Sequence, residues 1–429
     1  MNAPLPASPA AQLGPNDKWV INYFTISTVI YSFSYVFSYL DPNSYYGRGT
    51  AIFLMAMAVF KAATSPASNS GSGRSTVLLT LLLGLAIFNM VISWNVVETS
   101  ARWVLWLTTV ISLARVVGSS NGTWIGVLIQ RLPYLFGVIY ISIMVLAHFH
   151  TDEETVAGAH HLSGLYGNLI LASALFHNHK TRRLCLILAG FIGIYFSGAG
   201  GALFTVPIMF IPYILYNTTS APVRGFAVAS MLLLGAVSFY QSDLFSSFLN
   251  IKAKSASVGG FAFTGMERLN RSKELRLELV QYGLNLAKAN PLGTGLGHTY
   301  ASDLSVILGV AHVHNGTISM LIELGMPGFA LVASLFAWIF WSIMQSPSIN
   351  QQLKAFYFTY FFTVFGRSLS ENYTPFDLAN IFTAVFLIYT ISLFLYPHLP
   401  RREWRPNRLP PPHFARPRMH HPVGVGAPR

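Results

Sequence analysis

A chain of 429 residues, 53% of them hydrophobic and 10% charged, is not an ordinary water-soluble domain, in which roughly 25% of residues carry charge. A mean hydropathy of +0.49, with 32 Phe and 20 Tyr, suits long buried helices whose ends sit among lipid headgroups. The net charge of +12 does not point to nucleic acid: seven arginines against Glu403 alone follow Pro397, so half of the excess sits in one terminal tail.

Residues 1–18 read as a cytoplasmic tail without the basic start of a cleavable signal, and the apolar run from Trp19 to Leu40 is long enough to stay in the bilayer. Further apolar runs follow at 45–60, 76–94, 103–118, 128–149, 162–177, 184–198, 200–216 and 225–241, giving nine spans over 19–241. With the N-terminus inside, Lys61, Arg74, Arg115, Lys180 to Arg183 and Arg224 all fall on the cytoplasmic side, and Asp152 to Glu154 fall outside. Arg48 and Arg102 stand outside as lone charges. Cys185, the single cysteine, excludes a disulfide framework.

Residues 242–312 interrupt this rhythm with a segment too long for the positive-inside rule, placed on the periplasmic side, where chemistry is expected. Within it, 272–289 reads as an amphipathic helix stopped by Asn290-Pro291. Glu274, Glu278, Gln281, Asn285 and Lys288 share one face, whereas Arg276 projects about 200° from Glu274, into the apolar arc. Two readings fit such an arginine: a bidentate ligand for phosphate oxygens, or an anchor snorkelling to headgroups. Arg268, Arg271 and Lys273 either widen the positive patch or are solvated loop charges.

Pro291-Leu-Gly-Thr-Gly-Leu-Gly297 follows; as a phosphate cradle it lacks a preceding strand and a following Lys-Ser or Lys-Thr, and a sharp turn is the plainer role. Ala311-His312-Val-His314-Asn315-Gly316 then opens a helix that pauses at Gly325-Met-Pro-Gly328. His314, at the membrane rim, is either a base for a sugar hydroxyl or a hydrogen-bonded anchor. On a helix His312 and His314 point about 200° apart, which argues against joint metal ligation. His150 to Glu154 with His160 and His161 match no metal-site spacing, and the first outer loop offers Asp41 alone, so metal-independent chemistry without a cofactor is expected. Spans near 325–345, 354–370 and 376–396 complete about twelve helices, with 313–396 as the last three, and 397–429 form a basic, Pro-rich cytoplasmic tail. The chain is thus expected to be an all-α polytopic membrane protein with one long periplasmic loop. The absence of an internal repeat and the one-sided polar sequence count against a transporter, whose midplane charges would have to be Arg131 and Arg367, both within snorkelling reach.

The run Arg276-Leu-Glu-Leu-Val-Gln-Tyr-Gly-Leu-Asn-Leu-Ala-Lys-Ala-Asn-Pro-Leu-Gly-Thr-Gly-Leu-Gly297, followed by His314-Asn-Gly and Glu323-Leu-Gly-Met-Pro-Gly328, resembles the signature of the O-antigen ligase and Wzy-type polymerase family. Leu162-Ser-Gly-Leu-Tyr-Gly-Asn168 is a fainter likeness to the family's Ser-Gly-x-x-x-Asn stretch, and Ser197-Gly-Ala-Gly-Gly-Ala202 departs from its Ser-Arg-Gly-Ala pattern by lacking the arginine. The resemblance implies a GT-C-like membrane glycosyltransferase with His314 and Arg276 as catalytic residues. Arg268, Arg271, His312 and Asn315 are its substrate-binding candidates, the first two as stand-ins for the missing arginine. It implies undecaprenyl-diphosphate-linked oligosaccharide as donor and acceptor at the periplasmic face of the inner membrane, inverting transfer, and a flippase and a chain-length co-polymerase as partners. An exopolysaccharide polymerase is favoured over a ligase acting on lipid A-core or protein, with a flippase as the non-enzymatic alternative.

Overall fold

The computed structural model describes residues 13–40, 46–66, 73–149, 153–197, 200–218, 220–240, 266–297, 315–369, 376 and 389–397. Regular structure among them is helical throughout: α1 Pro15–Leu40, α2 Tyr46–Thr64, α3 Gly73–Val91, α4 Val96–Gly118, α5 Trp124–Phe149, α6 Glu153–Ala174, α7 Lys180–Ser197, α8 Gly200–Asn217, α9 Ala221–Tyr240, α10 Met266–Ala289, α11 Gly316–Gln345 and α12 Gln351–Ser368, with a π-helical turn at Ile391–Leu395. Caps set several of these boundaries. Asn95 accepts from Glu98 N at 3.1 Å and Asn350 from Leu353 N at 2.8 Å, each satisfying an amide that has no partner inside its helix. The amphipathic helix begins six residues earlier than its polar periodicity predicts, at Met266.

Among the described residues four helical stretches are long and apolar enough to cross a membrane: Gly73–Val91, Val96–Gly118, Trp124–Val145 and Gly316–Gln345. Gly49–Thr64, Leu162–Ala174, Gly201–Asn217 and Ala221–Leu233 are shorter apolar helices. Large apolar side chains are turned outward along these helices, among them Phe60, Ile87, Val104, Val138 and Phe226. Such stripes on the outside of a bundle fit a surface that meets lipid.

α6 lies at the centre. Every residue from Leu162 to His177 is buried, because the helix packs on α1, α5, α7, α8 and α12 at once. Its contact with α7 is close: a Cβ added at Gly167 would meet the backbone of Ile194, and one at Gly190 the backbone of Leu171. α12 packs on α8, α6 and α11. Phe358 stacks on Tyr216 while Gly366, eight residues on, sits against Thr205, so α12 runs antiparallel to α8. Just past the end of α6, Phe176 touches both Tyr213 of α8 and Phe356 of α12, while Leu171 and Ala172 share a cluster with Ala202 and Met209 of α8. α6 is therefore parallel to α8 and antiparallel to α12.

Candidate active site

The two glycine motifs, far apart in sequence, form one interlock. Pro327 has no N–H to offer to Glu323 O, and Gly325 leaves the helical region at φ 67°, ψ 178°, so α11 opens and strands backbone groups in an apolar bundle. The turn after α10 takes them up. Thr294 N donates to Ile322 O (3.0 Å), Gly295 N to Glu323 O (2.9 Å), and Met326 N donates back to Pro291 O (2.8 Å). Gly293, Gly295 and Gly297 all adopt positive φ, and at Gly293 a side chain would run into the α11 backbone at Leu324 and Gly325.

Asn89 of α3 locks the joint. It donates to Glu323 O at 2.8 Å and accepts from Trp103 Nε1 of α4 at 2.9 Å and from Leu296 N at 3.0 Å. Thr99 of α4 donates to Leu296 O at 3.0 Å. Gly297 N donates to the Glu323 carboxylate at 3.1 Å, and Gly293 N donates to Asn290 O at 2.9 Å. Each amide from Gly293 to Gly297 is thus committed inside the protein. None is left to cradle a phosphate, which decides for the turn over the anion loop. Arg102, a lone charge by its sequence position, pairs with Glu98 at 2.8 Å beside Gly297.

The interlock fixes α10 along the first half of α11. Leu279 and Ala287 form one buried cluster with Ile318 and Ile322, and the C-terminal end of α10 meets the opening in α11, so the two helices run antiparallel. Arg276, one turn before Leu279, therefore stands on α10 level with the start of α11, and Arg271 and Arg268 lie on the turns beyond. Asn315 caps α11 by accepting from Ile318 N at 3.1 Å, and its Nδ2 donates to Leu369 O, just past α12, at 3.2 Å. The residue predicted to bind substrate is thus also the tie between two helices. The side chains of Arg268, Arg271 and Arg276, and the whole of His312 and His314, lie outside the described residues, as do His150, Asp152, His160 and His161 with respect to their side chains. Among the described residues no group of three His, Cys, Asp or Glu side chains converges.

Sequence reasoning passed over the end of α12. Arg367, two residues before the carbonyl that holds Asn315, is not a snorkelling side chain: it is 0% exposed, whereas Arg131 on α5 is exposed. At 100° per residue Arg367 lies about 20° from Phe356 on α12, the ring that touches Phe176. The signal available in the sequence was an arginine closing the aromatic run Phe356 to Phe365.

Residues 184–333 match the family model described as O-antigen ligase. No curated protein matches the chain. A helical bundle with several membrane-length apolar helices and this match is a multi-pass membrane protein of the class that joins or extends lipid-linked glycans. Over residues 184–333 the chain is similar to the O-antigen ligase family, which takes in ligases and the related Wzy-type polymerases. The matched stretch holds α7 to α10, the glycine turn and the opening in α11. Asn89, Asn168 and Arg367 all lie outside it.

Proposed function

We propose that the protein polymerises undecaprenyl-diphosphate-linked repeat units into an exopolysaccharide at the periplasmic face of the inner membrane, both of its termini being cytoplasmic and the chain crossing the bilayer about twelve times. The observation that supports the site is the antiparallel packing of α10 on the first half of α11, because it brings the helix of Arg276 to the residue that follows His314. In this reading His314 takes the proton from an acceptor sugar hydroxyl as its oxygen bonds to the anomeric carbon of the donor. The bond from that carbon to the diphosphate oxygen breaks with inversion, and the departing lipid diphosphate is steadied by the guanidinium of Arg276. A leaving group that already carries a diphosphate needs charge neutralisation rather than protonation, so arginine serves where other transferases employ a metal ion. Arg268, Arg271 and His312 line the approach, and Asn315 holds the histidine segment in place through its cap and its bond to Leu369 O. A flippase that delivers the repeat units and a chain-length co-polymerase are the natural partners.

His314→Ala and Arg276→Ala are expected to abolish polymer while the protein stays inserted, with losses of roughly 10²–10⁴ in rate. Arg276→Lys fails substantially as well, since lysine keeps the charge without the bidentate fork. Polymer is read on gels from membranes whose protein content is checked by immunoblot, and turnover is repeated in excess chelator, where it persists. Normal polymer from a stably inserted His314→Ala protein overturns this mechanism. Lipid-linked material from a deletion strain separates the two kinds of transferase: single repeat units mark a polymerase, unligated full-length polymer a ligase.

A further inference from the structure

The short turn from α6 to α7, residues 175–179, is clamped to α5. Gln130 Nε2 donates to Phe176 O at 3.1 Å, and its Oε1 accepts from Asn178 N at 3.0 Å. The buried His177 accepts from His179 N through Nδ1 at 3.3 Å, so the proton of its neutral ring sits on Nε2 and goes to the Tyr134 hydroxyl at 3.1 Å. Around this clamp stand cations without an anion of their own. Lys180 and Arg182 are exposed and Arg183 is half-exposed. Arg182 and Arg183 lie within electrostatic reach of the His177 ring, and among the described residues none of the three basic side chains forms an ion pair. Residues 155–242 contain neither Asp nor Glu. Asp152 to Glu154 stand at the other end of α6, about 33 Å away along a helix of 22 residues.

The directions of these cations follow from helix geometry. At 100° per residue Arg182 lies about 20° from Gly193, whose carbonyl accepts from Tyr140 of α5 at 3.2 Å, and Arg183 about 20° from Gly190, which meets Leu171 of α6. The two arginines therefore leave α7 on the sides toward α5 and α6. From the same end an apolar stripe runs along α7: Leu184, Leu188, Phe191 and Ile192 are exposed and share with Lys180 an arc of about 120°. Cations gathered at the head of an exposed apolar stripe match the shape of a phospholipid, a charged phosphate followed by acyl chains. Free phosphate would meet the cations and leave the stripe uncovered.

We infer that the α6–α7 turn and the first half of α7 form a docking surface for one anionic phospholipid of the leaflet at that end, the cytoplasmic one in the proposed orientation. The phosphate oxygens accept from Arg182, Arg183 and Lys180, and an acyl chain lies along Leu184, Leu188 and Phe191. The clamp made by Gln130 and Tyr134 holds the cations in place before the lipid arrives, and the lipid relieves the repulsion among them. The inference rests on the membrane setting of the bundle and not on the proposed transferase chemistry.

The test uses full-length protein in detergent, with dioleoyl phosphatidylglycerol, dioleoyl phosphatidylcholine and inorganic phosphate as probes, and reads dissociation constants by native mass spectrometry. Wild type is expected to prefer phosphatidylglycerol, and the double variant Arg182→Gln/Arg183→Gln to bind it about tenfold more weakly or worse, while its unfolding temperature without lipid stays unchanged. The control removes two exposed cations from other helices at the same end, Lys18 of α1 and Arg74 of α3. Lys18→Gln/Arg74→Gln is expected to bind phosphatidylglycerol as wild type does. An equal loss from the control means that net surface charge alone attracts the lipid, and the docking surface is wrong. It is equally wrong if wild type does not distinguish the two lipids, or if inorganic phosphate binds as tightly as phosphatidylglycerol. The proposed function stands in each of these cases, because its test reads polymer made at the site of α10 and α11.

Discussion

Two polar regions of this bundle are built on opposite terms. In the interlock of α3, α4, the glycine turn and α11, the backbone groups released by Gly325 and Pro327 are met by hydrogen bonds of 2.8–3.0 Å, and Asn89 spends both ends of its side chain on three partners. In the seam of α6 and α12, an equally buried asparagine spends neither. The difference separates a joint that is closed by hydrogen bonds from a seam held by packing. A polar group that is fully bonded holds the fold, whereas one left unbonded in the core works against it.

The sharpest way to break that comparison is to attack the joint at its most constrained residue. Gly325→Ala puts a side chain at φ 67°, ψ 178° and drives its Cβ into the Leu292 carbonyl, so a loss of roughly 4 kcal/mol or more is expected. It should appear as poor accumulation in membranes and a lower unfolding temperature in detergent. Asn89→Ala comes next. It orphans Trp103 Nε1 and Leu296 N inside the bundle, and unfolding followed by denaturant or heat should show a loss of about 2–4 kcal/mol. The smallest effects belong to the seam: Tyr360→Phe and Thr359→Val remove hydroxyls that make no bond and should shift stability by less than about 0.5 kcal/mol, measured the same way. A large destabilisation from either would mean that the seam is bonded after all and would erase the contrast between the two regions.

Much of this was written in the order of the residues. Apolar runs of membrane length, the Asn-Pro stop after α10, the pause at Gly325 to Gly328 and the resemblance to the O-antigen ligase family are local patterns, legible because helix length, proline geometry and motif spacing are properties of neighbouring residues. The start of α10 was less legible. Its first six residues, Met266 to Arg271, are mostly polar, so amphipathic periodicity alone does not mark them as helix.

The tertiary structure alone decided which polar groups have partners. Asn89 and Leu296 meet across 207 residues of sequence, and no motif links them; their pairing makes the glycine run, already read as a sharp turn, part of a structural joint. Arg367 likewise looked able to reach headgroups, yet the fold buries it completely. A sequence states which groups need hydrogen bonds, but whether each need is met depends on helices that approach from elsewhere in the chain, and in a bilayer no solvent supplies what they leave out.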